Sequence, residues 1–555
     1  MIEEKLSQMS ASEMTRCNPH NAKKSAQTRT RTNNKSAADS FPAIAKIVAP
    51  LSDSKVRELI KLAWNDTGNA ERLAILFGRS LFYCPEAPKG HRWYAWTRKC
   101  CKTICEERMY DFVSFAIRYS NEIYEAYARN VMPKEAADEA IANYNRYCIT
   151  CENLNKIKAT IDRSSSLMIK HKDDLDKDPM LLNVANGILN LETGRLLPHD
   201  PSQYCTHICR ASYNPGSYRG SLWEKTLSAC VPDPEVRRYL QMYGGYMLTG
   251  KSNEAKVMFL VGAGGSGKTT FLNALHYVMG NYSDTLNQEI LLASKNNSEG
   301  GNSASPSKAK LAGLRAVMAS ETDEGRRLNE AQLKNLTGGD IVTARFLYGQ
   351  EFSFQQTAKM IIASNYMPNL RDVTDGGIRR RLVIIRFDQT FTDAPNINLE
   401  KELQTPPEAA AILDWLVQGT LMWVHTGRLP ELPASVKQTM AGYYDENDWL
   451  SDALGELTVD APQGTIKAKT LIDAIKDWLG HSCHEMNCTR SSLVNLISKR
   501  GYSYNKIHGT RYFRGLTAKN PTMPPTVALP APAAADKQPL PASPPAPLEG
   551  FTVPF

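Results

Sequence analysis

The sequence predicts an α/β core, with an α+β region ahead of it and a small helix-and-hairpin module behind. Three observations carry that prediction. Apolar runs at 256–261, 315–320, 359–364 and 382–387 have the length and continuity of buried strands. A glycine-rich turn, Gly262-Ala-Gly-Gly-Ser-Gly-Lys-Thr-Thr, stands between the first run and a helical period through Phe271, Leu272, Leu275 and Val278. The flanking stretches mix helical and strand-like patterns.

Size and composition bound the rest. At roughly 100–200 residues per domain, 555 residues suggest three or four, and 42% hydrophobic content supplies several cores. No run of 18 apolar residues exists, and no apolar segment follows the N-terminal charges. The expectation is therefore a soluble, cytoplasmic chain without a membrane partner. The net charge of +8 is compatible with nucleic acid but does not decide for it. Twelve cysteines include Cys100, Cys101 and Cys105, the pair Cys205 and Cys209, and a lone Cys148-xx-Cys151. No two CxxC pairs have zinc-ribbon spacing, so reduced thiols are expected, with a zinc site the lesser alternative.

Along the chain, residues 1–50 read as a disordered arm, in which Arg16, Lys23, Lys24, Arg29, Arg31 and Lys35 lie among no acids. Such an arm is either a solvated tether or a non-specific contact to phosphate backbones. Residues 51–245 read as α+β. A helix opens at Ser54, a strand carries Trp93 and Trp96, and Met180–Arg195 reads as two short strands joined by an Asn-Gly turn. Residues 246–430 hold the core, and 431–518 a helical linker and a module of helix, helix and basic hairpin. In that module Arg490, Lys499, Arg500, Lys506, Arg511 and Arg514 interleave with Tyr502, Tyr504, Tyr512 and Phe513, as a nucleic-acid surface would; an aromatic core under a solvated face is the alternative. Residues 519–555 form a Pro/Ala-rich tail that cannot pack a core.

The glycine-rich turn satisfies G-x-x-x-x-G-K-[ST] between strand and helix. Backbone N–H groups of Gly262, Ala263, Gly264, Gly265, Ser266, Gly267, Lys268, Thr269 and Thr270 would curl round phosphates at the positive end of a helix. Lys268 would reach the β- and γ-phosphates and the Thr269 hydroxyl would ligate Mg²⁺, so ATP and Mg²⁺ are the expected cofactors. The second run delivers Glu321, a carboxylate able to organise the metal shell and polarise water. The third presents Asn365 at its tip, where an amide could hold the lytic water. Before the fourth stand Arg379, Arg380 and Arg381, costly to bury and suited to a subunit boundary. Between the second and third runs lie a helix from Asn329 and a hairpin around Tyr348.

This order of motifs resembles the superfamily 3 helicases, specifically the phage and plasmid primase–helicase family related to the poxvirus replication ATPase. The resemblance spans roughly residues 65–515 and includes Asn186-Gly-Ile-Leu-Asn-Leu-Glu-Thr-Gly, Gly245-Tyr-Met-Leu-Thr-Gly, Leu336-Thr-Gly-Gly-Asp, Thr343-Ala-Arg-Phe-Leu-Tyr and Ala363-Ser-Asn. It implies an AAA+-like ATPase core with a C-terminal winged-helix-like module, forming a ring, usually a hexamer, that moves on DNA. By position Glu321 resembles the Walker B acid, Asn365 the sensor, and Arg380 or Arg381 the finger acting on a neighbour. Tyr348 resembles the tip that grips DNA, with Lys334 and Arg345 as supports and Arg511 and Arg514 on the terminal module. Ser266 and Gly349 depart from the usual Asn and basic residue, and Arg379 replaces an aromatic. Fewer than about 60 residues precede the matching region, less than a domain, so no polymerising primase domain is expected. The reading is an ATP-dependent DNA helicase of a phage or plasmid replication module, with replication proteins as possible partners. An ATP-switched origin binder, a primase–helicase and a small-molecule kinase are the alternatives.

Overall fold

The computed structural model describes residues 36–48, 50–286, 291–292, 306–320, 327–345, 351–391, 396–481 and 488–519. They group in two compact units, one running to Leu370 and resuming over Asp375–Tyr443, the other made of Arg371–Thr374 and the chain from Tyr444. The expected α+β region and core therefore share one unit, and the sequence boundary at 430 falls short of the observed one.

The first unit opens inside the segment expected to be a disordered arm. Helices α1 (Ala37–Ser40) and α2 (Pro42–Ala45) are followed by α3 (Asp53–Lys61) and α4 (Asp66–Phe77). Ala37, Ile44 and Val48 are buried, and Phe41 meets Phe115 edge-on at 6.4 Å. That part of the arm is a folded strap; residues 1–35 lie outside the described residues. Side chains of Ser52 and Asn65 cap α3 and α4, as short polar residues at helix starts should. A three-stranded sheet follows, β1 (Leu81–Tyr83), β2 (Trp93–Trp96) and β3 (Cys101–Ile104), then α5 (Glu106–Val131), α6 (Lys134–Cys151) and α7 (Leu154–Leu167). Leu73, Phe77, Phe112, Phe115, Tyr124 and Tyr144 fill the core between these helices.

The stretch 180–197 forms three strands, β4 (Leu181–Val184), β5 (Gly187–Asn190) and β6 (Arg195–Leu197). Val184 pairs with Gly187, so Ala185 and Asn186 make the turn and Gly187 already belongs to the strand. Its glycine is needed because a Cβ there would lie 2.3 Å from the Leu197 carbonyl. The expected Asn-Gly turn is thus displaced by one residue.

Helices α8 (Leu222–Cys230) and α9 (Pro234–Met247) lead to a five-stranded parallel sheet ordered β13-β7-β12-β9-β8. Its strands are β7 (Val257–Val261), β8 (Ser283–Thr285), β9 (Ala316–Ser320), β12 (Lys359–Ser364) and β13 (Leu382–Arg386), so all four predicted runs are present. Every residue of β7 and β12 is buried, the mark of central parallel strands covered on both faces. Helix α10 (Lys268–Met279) follows β7, α11 (Pro306–Ala309) precedes β9, and α12 (Glu330–Thr337) precedes the antiparallel hairpin β10 (Ile341–Arg345) and β11 (Glu351–Gln355). Next come α13 (Gly376–Arg379), α14 (Leu399–Leu403), α15 (Pro406–Thr426) and α16 (Ala434–Glu446). No helix among the described residues is long and apolar enough to cross a membrane.

The second unit contains α17 (Trp449–Leu457), β14 (Thr458–Lys467), α18 (Ala468–His481), α19 (Arg490–Lys499) and the hairpin β15 (Ser503–Ile507) and β16 (Thr510–Ala518). The expected helix, helix and hairpin are joined by β14, which makes β16 the centre of the sheet.

Candidate functional site

Parallel sheets place their functional loops at the carboxyl ends of the strands. Here β7 ends at Val261 and turns directly into Gly262–Gly267. Gly265 and Gly267 adopt φ of +75° and +89°, which a side chain would strain, and a Cβ on Gly264 would point into open space. The turn is therefore a concave backbone cradle, and its last glycine is the N-cap of α10. Lys268 is 6% exposed, and its Nζ donates to the Gly262 and Ala263 carbonyls at 2.7 and 2.8 Å and to Ser266 Oγ at 3.0 Å. Burial lowers its pKa from the ordinary lysine value. Thr269 is exposed beside it, free to meet a metal-bound phosphate. An open cradle, a helix N-terminus and an ammonium holding only neutral oxygens fit a nucleotide phosphate.

Asn365 joins this cradle. Ser364 pairs with Val261 in the sheet, and the Gly262 N–H approaches the Ser364 carbonyl at 3.4 Å, so the exposed Asn365 sits at the neighbouring strand tip. Strand β9 ends one place further across, Ser320 beside Ala363. Glu321, which follows it, lies outside the described residues, as does Tyr348 at the hairpin tip.

The arginines separate. Leu382 pairs with Val257, so Arg380 and Arg381 lie at the amino end of the sheet, opposite the cradle. Four strand steps of about 3.3 Å put roughly 13 Å of strand between them and their own loop. Arg381 is buried, donating from Nε to Thr337 Oγ1 at 3.0 Å and from a terminal nitrogen to the Gly377 carbonyl at 2.9 Å. Its donors are engaged within the fold, so of the two arginines Arg380 is the exposed candidate. Arg380 is exposed, its carbonyl taking a bond from Lys256 Nζ at 2.6 Å. Arg380→Ala is expected to reduce ATP turnover about 10³-fold or more without lowering thermal stability. Arg381→Ala is expected to lower stability first. Turnover and melting of the two variants check this, and equal melting losses would undo the distinction.

Two further assignments shift. Lys334 Nζ contacts Asp375 Oδ2 at 2.5 Å, so its charge is engaged inside the unit. Arg345 stands opposite Glu351 at the last described pair before the hairpin tip. In the second unit, on the central strand β16, Arg511 is exposed and stacks 5.3 Å over Tyr504, whereas Arg514 is half-buried and donates to Gln463 at 2.8 Å. Phe513 and Tyr512 are buried, so half of the aromatics belong to the core.

Sequence reasoning missed a cavity of about 170 Å³ lined by Cys230, Val236, Arg386, Asp388, Gln389 and Val436. It abuts the cradle, because a Cβ on Gly267 would come 2.6 Å from Cys230 Sγ. Arg386 pairs with Val261 and so stands at the loop's end of the sheet, ion-paired to Asp388 at 2.8 Å. Only the strand register puts it there; the run 382–387 by itself reads as core.

Among the described residues no three His, Cys, Asp or Glu side chains are grouped to hold a metal ion. Burial pushes the Cys101 and Cys205 thiols upward, Cys205 to about 12, so they stay protonated.

Residues 70–232 match the family described as D5 N terminal like, and residues 260–381 match a family of unknown function (DUF5906). An African swine fever virus protein named as a candidate primase is 33% identical over 239 residues, 42% of this chain and 24% of that protein. A candidate helicase of Acanthamoeba polyphaga mimivirus is 25% identical over 353 residues, 60% of this chain and 36% of its own length. The matched segments thus span about a quarter to a third of these relatives. Among solved structures, the apo NrS-1 C-terminal region aligns at 12% identity with a TM-score of 0.34, covering 55% of this chain and 78% of that one, a likeness too slight to argue from. Residues 70–232 thus resemble the D5 N terminal like family, and the chain is similar to viral proteins named for primase and helicase.

Proposed function

We propose that this chain is an ATP-dependent DNA helicase of a phage or plasmid replication module, acting in the host cytoplasm as a ring of copies, six by family resemblance. The observation that carries this reading is the division of the parallel sheet. A phosphate cradle with Lys268 and Asn365 stands at one end, and an exposed Arg380 stands at the other, too far to serve its own cradle. A head-to-tail ring would bring Arg380 of one copy to the cradle of the next, as heterologous interfaces do.

In this reading the P-loop core is AAA+-like and ATP with Mg²⁺ supplies the scissile phosphate and its counter-charge. Lys268 binds the β- and γ-phosphates, Thr269 and Glu321 hold the metal, and Asn365 orients the lytic water. The cavity beside Gly267 takes the base. The hairpin at Tyr348, supported by Arg345, meets DNA in the ring's channel. Arg511, on the hairpin of a winged-helix-like module, adds contacts to the phosphate backbone.

The test is strand separation. Purified protein with ATP and Mg²⁺ should open a forked DNA duplex, and no strand should separate when ATP is left out. ATP hydrolysis with no duplex opened at any salt concentration would sink the helicase reading and leave an ATP-switched origin binder. Relatives with names for primase or helicase favour a replication role under either outcome.

A further inference from the structure

Two residues first assigned to DNA and to the neighbouring nucleotide lie together inside the fold. Lys334, on α12, meets Asp375 Oδ2 at 2.5 Å. The other oxygen of Asp375 accepts from the Gly377 and Ile378 N–H groups at 2.8 and 3.2 Å, capping the short helix α13 that carries Arg379 and leads to Arg380. Three residues beyond Lys334, Thr337 Oγ1 accepts from Arg381 Nε at 3.0 Å. A Cβ on Gly377 would come 3.1 Å from Lys334 Cε, so the two segments are in contact as well as paired. Helix α12 is itself anchored by the buried Leu333 and Leu336, and it runs through Gly338, Gly339 and Asp340 into β10. One end of this connected piece holds the arginine turn, and the other holds the root of the hairpin.

We propose that Lys334 and Asp375, backed by Arg381 and Thr337, are positioning residues that tie the arginine turn to the hairpin root, so that contact of Arg380 with a neighbour's nucleotide is transmitted to the hairpin. This rests on the helicase reading and adds its coupling element. Two segments joined at two points can only turn about the line between those points, so a displacement of one end is largely passed to the other.

The readout is the ratio of DNA-stimulated to DNA-free ATP turnover, taken at saturating single-stranded DNA in the full chain. Lys334→Met and Asp375→Asn should each lower that ratio about fivefold or more, with DNA affinity changed less than about twofold. Asn keeps the helix cap, so Asp375→Asn removes only the ion pair. The double variant should be no worse than either single one, and Lys334→Arg should restore the ratio. Asp375→Asn with a wild-type ratio overturns the tie. So does a Lys334→Met variant whose only defect is weaker DNA binding, which would return Lys334 to the DNA surface. If the wild-type chain hydrolyses ATP at a rate indifferent to DNA, the helicase reading fails first and takes the tie with it.

Discussion

Lys268→Ala is expected to lower ATP turnover about 10²–10³-fold, the usual loss when one preorganised donor to a transition-state charge is removed, while the chain stays folded. Lys268 is the first residue of α10, nearly fully buried, and its ammonium faces two loop carbonyls and the Ser266 hydroxyl. Bonds to ionised acceptors are roughly twice as strong as neutral ones, so a γ-phosphate placed in the cradle outcompetes those oxygens. Burial already lowers the lysine's pKa, a sign that its charge lacks a compensating anion. In the alanine variant the Ala263 carbonyl is at the exposed face and gains water, and the Gly262 carbonyl loses one donor. The stability cost is therefore about 1 kcal/mol. Steady-state ATP turnover and a thermal melt check both halves. Turnover within about threefold of wild type would mean that the cradle is not where phosphate transfer occurs.

That prediction could be written from sequence, because the cradle's logic is local: glycine spacing, one lysine, a strand before and a helix after. The four strands were legible for a related reason. Residues buried on both faces make continuous apolar runs, and β7 and β12 have no exposed position to break the pattern. What sequence could not carry was anything decided across the sheet. Arg380 and Arg381 are adjacent and chemically identical, and the Thr337 hydroxyl, 44 residues away, together with the Gly377 carbonyl draws Arg381 inward. Lys334 read as a DNA contact because Asp375 lies 41 residues off. Arg386 was hidden in an apolar run whose register against Val261 brings it beside the cradle. The strap at 36–48 is two four-residue helices split at Phe41 and Pro42, too short to show a period, so only its burial against α5, with the Ala37 N–H donating to Glu122 at 2.6 Å, reveals it.

Gly245→Val is expected to destabilise the first unit by about 3–5 kcal/mol, enough to shift melting by roughly 10 °C or to leave no soluble protein. Helices α9 and α15 cross here with their backbones nearly touching. A Cβ on Gly245 would lie 2.1 Å from the Thr420 nitrogen, and one on Gly419 would lie 1.9 Å from the Gln241 carbonyl. Neither neighbour is a movable side-chain tip, so any side chain must push the helices apart. Parting them breaks the Thr420 hydroxyl's bond to the Gly245 carbonyl at 2.8 Å and the Gln241 amide's bond to the Trp415 carbonyl at 3.0 Å. It also opens space beside Trp415, one of the largest fully buried side chains. The damage travels to the site, because Tyr243, on the same helix, donates its buried hydroxyl to the Met360 carbonyl at 2.9 Å, at the root of β12. Tyr243 also lies near the Lys256 carbonyl at 3.3 Å, just before β7. Those two strands hold Asn365 and the cradle at their far ends. Gly442→Ala, where an added Cβ meets nothing, should stay within about 0.5 kcal/mol of wild type. If Gly245→Val melted like Gly442→Ala, the close crossing would have to yield without cost, which two backbone atoms nearer than 2.5 Å to a new carbon do not permit.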